Sequence, residues 1–253
     1  MDFNQRVLKV AVAVLCDLLL PRVCVVCGRR LIYEEKHICY RCLSDLPLTH
    51  FWERSHQPMA DKFNERLIGV SMDGDPERYA WAAALFFYNS ESGYRRIPWD
   101  LKYRQSLGQG RYFARMLGER LAGSEQFADV DTVIPVPLHW TRRLRRGYNQ
   151  AEIIAEEVAE ALRADLRTDV LRRVRRTRTQ TRVDVKAKST NVSGAFAISR
   201  TGTDTLRGVR HVLLIDDTFT TGATLAACFA TLRQALPTPV RISCATLDFV
   251  TKS

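Results

Sequence analysis

Val212, Leu213, Leu214 and Ile215 form an unbroken apolar run, the pattern of a strand buried on both faces, as in a parallel sheet. Residues 218–224 are rich in hydroxyls, and beyond them Leu225, Cys228, Phe229 and Leu232 recur at helical spacing. The same order is found upstream. Residues 130–138, VDTVIPVPL, predict a second buried strand, which Pro135 and Pro137 end by stopping the ladder. An arginine-rich loop follows, and Gly147 is expected to open a helix with Ala151, Ile154, Ala155, Val158 and Leu162 on its core face. Residues 79–88, YAWAAALFFY, read as another strand, although the alanines leave a helix open. Residues 94–121 have helical spacing broken near Pro98 and residues 108–110, with Ile97, Leu101, Leu107, Phe113, Met116 and Leu117 turned to a core. Residues 168–176 and 191–198 predict two extended segments. Residues 240–247 alternate apolar and polar and predict the last strand.

Repetition of strand, loop and helix predicts an α/β fold, a parallel sheet flanked by helices. The chain has 253 residues, room for one ordinary domain and a small appendage. Residues 1–50 are assigned to an N-terminal helix and a cysteine module. Residues 51–78, polar and carrying Pro58, Gly74 and Pro76, read as a linker. Residues 79–253 form the main domain. Within the N-terminal part, residues 7–20, VLKVAVAVLCDLLL, are interrupted by Asp17 and fall short of the roughly 20 apolar residues that span a bilayer. A cysteine pair, not a small-residue cleavage site, follows at once. An amphipathic helix packed on the rest is expected, with weak membrane-surface contact as the alternative. The formal net charge of +10 suits phosphorylated ligands or nucleic acid without choosing between them.

Seven cysteines are spread unevenly. The odd count, with no signal peptide, argues against a secreted disulfide protein. Cys24 and Cys27 form one CxxC pair, eased by Gly28, and Cys39 and Cys42 another. The spacer is long enough for a hairpin that brings the pairs together. Four thiolates around zinc make a closed, structural site, and metal binding would supply folding energy to so small a segment. An iron–sulfur centre or a redox pair are the alternatives, and His37 is a substitute ligand or a surface residue.

The segment His211 to Thr224, HVLLIDDTFTTGAT, joins two chemistries. Backbone N–H groups at a helix N-terminus attract a phosphate; Gly222 permits close approach, and the threonine hydroxyls add donors. Asp216 and Asp217 would repel a phosphate, so they should face hydrogen-bond donors: vicinal sugar hydroxyls, magnesium or its waters. A sugar phosphate satisfies both halves. Ligands in open α/β sheets bind beyond the carboxyl ends of the strands, so the loop with Arg142, Arg143, Arg145 and Arg146 should share that rim and hold a second phosphate-rich group, pyrophosphate being the natural candidate. Lys102, Tyr103 and Arg104 form a basic-aromatic cluster, explained equally by a solvated helix face. Residues 177–190, polar and basic, have the composition of a lid or of a plain loop. Arg178, Gln180, Arg182, Lys186 and Lys188 there would close over a phosphorylated ligand or touch a nucleic-acid backbone.

IDDTFTTGAT resembles the phosphoribosyl-pyrophosphate (PRPP) loop of type I phosphoribosyltransferases. That resemblance implies that Asp216 and Asp217 hold the ribose 2- and 3-hydroxyls, with Thr218, Thr220, Thr221, Gly222, Ala223 and Thr224 lining the 5-phosphate cradle. Taken with LLLPRVC, the paired CxxC motifs, LKYR, VIPVPLHWTRRLRRGYNQA and TRTQ…NVSGAF, the chain is similar to the ComF family over nearly its full length. The resemblance implies a zinc-binding module fused to a phosphoribosyltransferase-type domain that takes PRPP with Mg2+. It also implies a cytoplasmic role in natural competence, in single-stranded DNA handling or in DNA utilisation, with a competence helicase and DNA-processing proteins as partners. Family members often carry Arg close before the NV of the lid, where this chain has Lys188 and Ser189. The same half is similar to the transferase domain of glutamine amidophosphoribosyltransferase, but residue 2 is Asp and not the glutaminase cysteine, so ammonia from glutamine is not expected. Transfer of phosphoribosyl to an unidentified nucleophile, or a ligand-gated module without turnover, are the two resulting readings.

Overall fold

The computed structural model describes residues 21–68, 79–174 and 194–251. The expected leader helix over 7–20, residues 69–78 of the expected linker, and the lid segment with Lys188 lie outside the described residues. In chain order the elements are α1 (Tyr40–Ser44), a 3-10 turn (Phe51–Glu53), α2 (Pro58–Leu67), β1 (Ala82–Tyr88), a 3-10 turn (Gly93–Arg95), α3 (Arg96–Tyr103), α4 (Leu107–Ala122), β2 (Thr132–Pro135), α5 (Trp140–Arg146), α6 (Gln150–Leu162), β3 (Asp165–Leu166), β4 (Leu171–Arg173), β5 (Phe196–Ile198), α7 (Gly202–Thr205), β6 (His211–Phe219), α8 (Ala223–Arg233) and β7 (Arg241–Val250).

Five strands form one sheet in the order β1-β7-β6-β2-β3, and every pairing is parallel. β4 and β5 form a separate antiparallel pair. β6 lies between β7 and β2, and α6 and α8 pack on it, so its apolar run is buried. β7 is also an inner strand, between β1 and β6. Its alternating sequence suggests one exposed face, yet Ser243, Thr246 and Asp248 are buried. Each has a partner inside: Ser243 Oγ pairs with His211 Nε2 at 2.8 Å, Thr246 Oγ1 donates to the Asp248 carbonyl at 2.9 Å, and Asp248 accepts from Thr218 Oγ1 at 3.1 Å. His211, at the N-terminal end of β6, also meets Asp129 Oδ1 at 2.7 Å. Burial pushes its imidazole down to about 4, so it is a neutral structural group at the edge opposite the site.

Three expectations are corrected. The described part of the expected linker is not a free spacer. Pro58 starts α2 at the position where a missing N–H costs nothing, and the Gln57 side chain caps it by accepting from Met59 N and Ala60 N. Met59, Ala60, Phe63 and Leu67 are buried, with the Phe63 ring 5.9 Å from that of Phe229 on α8. Charged residues between those positions obscure the stripe in the sequence. The arginine-rich segment is itself helical: Gly147, at φ +82, ends α5 in the left-handed region, and Asn149 opens α6 by accepting from Ala151 N. Pro98 does not break a helix, because it sits in the first turn of α3; the break falls at residues 104–106.

α4 and α6 pack so closely that a Cβ on Gly118 would lie 2.7 Å from that of Ala161. The buried Glu157 ties them, accepting from Arg111 at 2.9 Å and Arg115 at 2.8 Å. The cysteine module docks on the same core. Leu48 bridges to Phe86 of β1, and Tyr94 Oη donates to the Cys42 carbonyl at 2.8 Å. Among the described residues no helix is long and apolar enough to cross a membrane.

Candidate functional site

Each CxxC of the module is shaped by its own backbone. Gly28 N donates to the Cys24 carbonyl at 2.9 Å, and Gly28 takes φ +75, closing the first turn. The second pair opens α1, with Cys39 Sγ accepting from Cys42 N at 3.5 Å. The hairpin between them is organised by Glu35, buried and accepting from Ile32 N at 2.9 Å, Tyr40 N at 2.8 Å and Arg29 Nη2 at 2.5 Å. As a result the sulfurs of Cys24, Cys27, Cys39 and Cys42 all lie within 4.8 Å of one another. Cys27 and Cys39 are 3.8 Å apart, about the sulfur–sulfur edge of a tetrahedron with metal–sulfur bonds of roughly 2.3 Å. The four cysteines are thus placed to bind a metal. His37 instead faces the Tyr112 ring at 5.7 Å.

Asp216 and Asp217 lie within β6, not after it. The turn of residues 220–222 connects them directly to α8. Gly222, at φ +74, caps that helix. Thr221 Oγ1 accepts from Ala223 N at 3.4 Å, while Thr220 is exposed. The following N–H groups are those a helix start leaves without intrahelical partners. The two carboxylates have different neighbours. Asp216 lies toward Cys228, Cys244 and Arg173; burial, then the charge of Asp217, pushes it up to about 7. Asp217 meets Lys102 Nζ of α3 at 3.2 Å. Lys102 also donates to Thr218 Oγ1 at 2.8 Å, and Thr218 passes a hydrogen bond to Asp248. Burial lowers the affinity of Lys102 for its proton, but the charges of Asp217, Asp248 and Asp216 outweigh it and keep the ammonium protonated.

Lys102 joins this cluster to a cleft of about 330 Å³ lined by Lys102, Tyr103, Gln105, Arg145, Arg146 and Tyr148. Arg145 and Arg146 line that cleft, which Lys102 links to Asp217. Arg142 lies half-buried on the same short helix and is not part of the cleft lining. Arg146 is held by Gln150 Oε1 at 2.8 Å, and Arg143 is drawn off to Glu152 at 3.2 Å. Tyr148 Oη donates to the Leu101 carbonyl, fastening α3 beside the start of α6.

Three side chains at the site escape the sequence reading. Lys62 of α2 donates to the Thr220 carbonyl at 2.6 Å, a cation set against the candidate phosphate turn from a segment read as linker. Asp248, on the strand next to Asp216 and Asp217, is fully buried. Its Oδ1 has no hydrogen-bond partner among the described residues, and burial pushes it up to about 7. Arg173 of β4 reaches Asp216 electrostatically. Asp248 lies one residue beyond the strand expected over 240–247, and the observed strand runs on to Val250.

No protein-family model matches the chain. Residues of this chain are 34% identical to Competence protein F of Haemophilus influenzae over 104 positions, 41% of the chain and 44% of that protein. DNA utilization protein YhgH of Escherichia coli O157:H7 is 26% identical over 227 residues, 88% of each chain, and that of strain K12 is 28% identical over the same share. The homologues implied by the ComF resemblance are therefore present, the YhgH proteins along most of the chain.

Proposed function

We propose that this chain is a PRPP-binding protein of the phosphoribosyltransferase type that acts in competence or DNA utilisation. The second half of that reading rests on the names of its relatives. The first rests on one convergence: an acid pair, a glycine-capped helix start and a basic cleft meet at the carboxyl edge of the sheet. In this reading Asp217 and Asp216 accept from the ribose 2- and 3-hydroxyls. Thr218, Thr220, Thr221, Gly222, Ala223 and Thr224 surround the 5-phosphate, with Lys62 behind the turn. Lys102, Arg145 and Arg146 face the pyrophosphate. Lys102 holds Asp217 until the ligand's hydroxyls replace it, which keeps the carboxylate paired in both states. Magnesium carried in with PRPP would neutralise charge on the pyrophosphate. At the module, the all-cysteine set and its spacing fit zinc in a structural role.

Titration calorimetry with PRPP and magnesium tests the sugar site. The wild type should give a saturable heat, and Asp217→Ala should lose at least tenfold in affinity, since one carboxylate–hydroxyl contact to a charged acceptor is worth about 1.5–3 kcal/mol. Equal heats in the two proteins would remove the ribose assignment. Transfer to an acceptor is the second reading, favoured by the arginines that flank the candidate pyrophosphate position; pyrophosphate release across a panel of bases and amines tests it.

A further inference from the structure

Trp99 and Tyr103 stand one helical turn apart on α3. Large aromatic side chains normally go to the core, where each removes a sizeable apolar area from water. These two remain 46% and 56% exposed. Their ring centroids are 5.5 Å apart and inclined at 48°, so the rings offer two separate faces instead of stacking on each other. Each face has a planar cation against it: Arg104 lies 5.1 Å from the Trp99 ring and Arg146 lies 5.3 Å from the Tyr103 ring. Guanidinium planes hold the position a flat π-system would take, and they stay close enough to reach its phosphates. Tyr103 is also a wall of the cleft shared by Lys102, Arg145 and Arg146. A row of exposed rings edged by arginines thus runs into the basic cleft.

We propose that Trp99 and Tyr103 form a stacking platform for the unpaired bases of single-stranded DNA, with Arg104, Arg145 and Arg146 taking the backbone phosphates. The inference rests on the proposed role with DNA and adds to it how bases are engaged. Charge complementarity selects a polyanion. The open ring faces select one whose bases are not already stacked in a duplex. Because every base has a π-face, the platform tolerates any sequence, which suits a protein that handles DNA regardless of its message. The tilt between the rings assigns one base to each.

Binding of two labelled strands of equal length, about 15 nucleotides, separates base from phosphate contacts. One is oligothymidylate; the other is abasic throughout. Wild-type protein should bind the strand with bases at least roughly 30-fold more tightly, from two stacked bases, with affinity for both falling steeply as salt rises. Trp99→Leu/Tyr103→Leu should bring the two affinities together while leaving the salt slope unchanged, and Trp99→Leu alone, outside the cleft lining, should leave the heat with PRPP unchanged. Equal wild-type affinities with a steep salt slope would overturn the platform and leave the phosphate contacts standing. A preference that survives the double substitution would also overturn it. No binding of either strand at low salt would overturn both the platform and the DNA half of the proposed function. The wild-type comparison needs no variant, so the result does not depend on how the substituted protein folds.

Discussion

Asp248 shows how much a single position is altered by its neighbours. In the sequence it is one acid just past the expected alternating strand. In the fold it is fully buried, one oxygen accepts from Thr218 and the other has no partner among the described residues. Burial raises its carboxyl from an ordinary 3.8 to about 7. The folded state therefore keeps a proton that the unfolded chain releases. Its contribution to stability is fully present below about pH 4 and is lost as pH rises to about 7. Asp248→Asn should stabilise the protein by on the order of 1–3 kcal/mol at pH 8 and by much less at pH 5. Denaturant unfolding at both values reads this directly, and a gap that does not change with pH would show that Asp248 does not titrate in that window. Asp216, raised for the same reason, was legible as a site residue because it is adjacent to a second acid and a glycine-threonine turn. Lys102 was legible only as part of a basic-aromatic cluster. Nothing in one dimension shows that it crosses to Asp217, 115 positions away by subtraction of their numbers.

At the scale of elements, the turn between β6 and α8 is the most constrained piece of the site. Gly222 is at φ +74, and a Cβ there would lie 2.6 Å from the ring of Phe219. Gly147 is at φ +82 with open space around it. Gly147→Ala should cost about 1–2 kcal/mol, the backbone penalty alone. Gly222→Ala should cost about 2–4 kcal/mol, because overpacking adds to that penalty, and should weaken PRPP binding as the turn shifts. Equal costs by chemical denaturation would mean that Phe219 gives way freely. Elements with strong apolar periodicity, β6, α6 and α8, were readable because burial selects their residues directly. α2 and α5 were not. In α2 charged residues surround a narrow apolar stripe, and α5 buries none of its residues, so neither leaves a wide pattern. The length of β7 was missed because Ser243 and Asp248 are met by partners on β6 and Thr246 by the Asp248 carbonyl, pairings that the sheet and its burial set.

In the molecule as a whole, the cysteine module and the α/β domain share one continuous core, so loss of metal should be felt beyond the module. Chelation should lower the melting temperature and release hydrogen-exchange protection first over residues 22–46, while β6 and β7 stay protected. Unchanged exchange after the metal has been shown to leave would mean that packing alone holds the hairpin. The sequence by itself determined the fold class, the order of strand and helix around the acid pair, the arginine-rich segment and the four cysteines. Each of these is local: periodicity, a turn residue, or a spacing within one hairpin. Tertiary structure alone decided which residues from distant segments complete the site. Lys62, Lys102, Arg173 and Asp248 reach it from four separate elements, brought together by parallel crossovers that bury apolar surface and constrain polar groups only through the partners they meet afterwards.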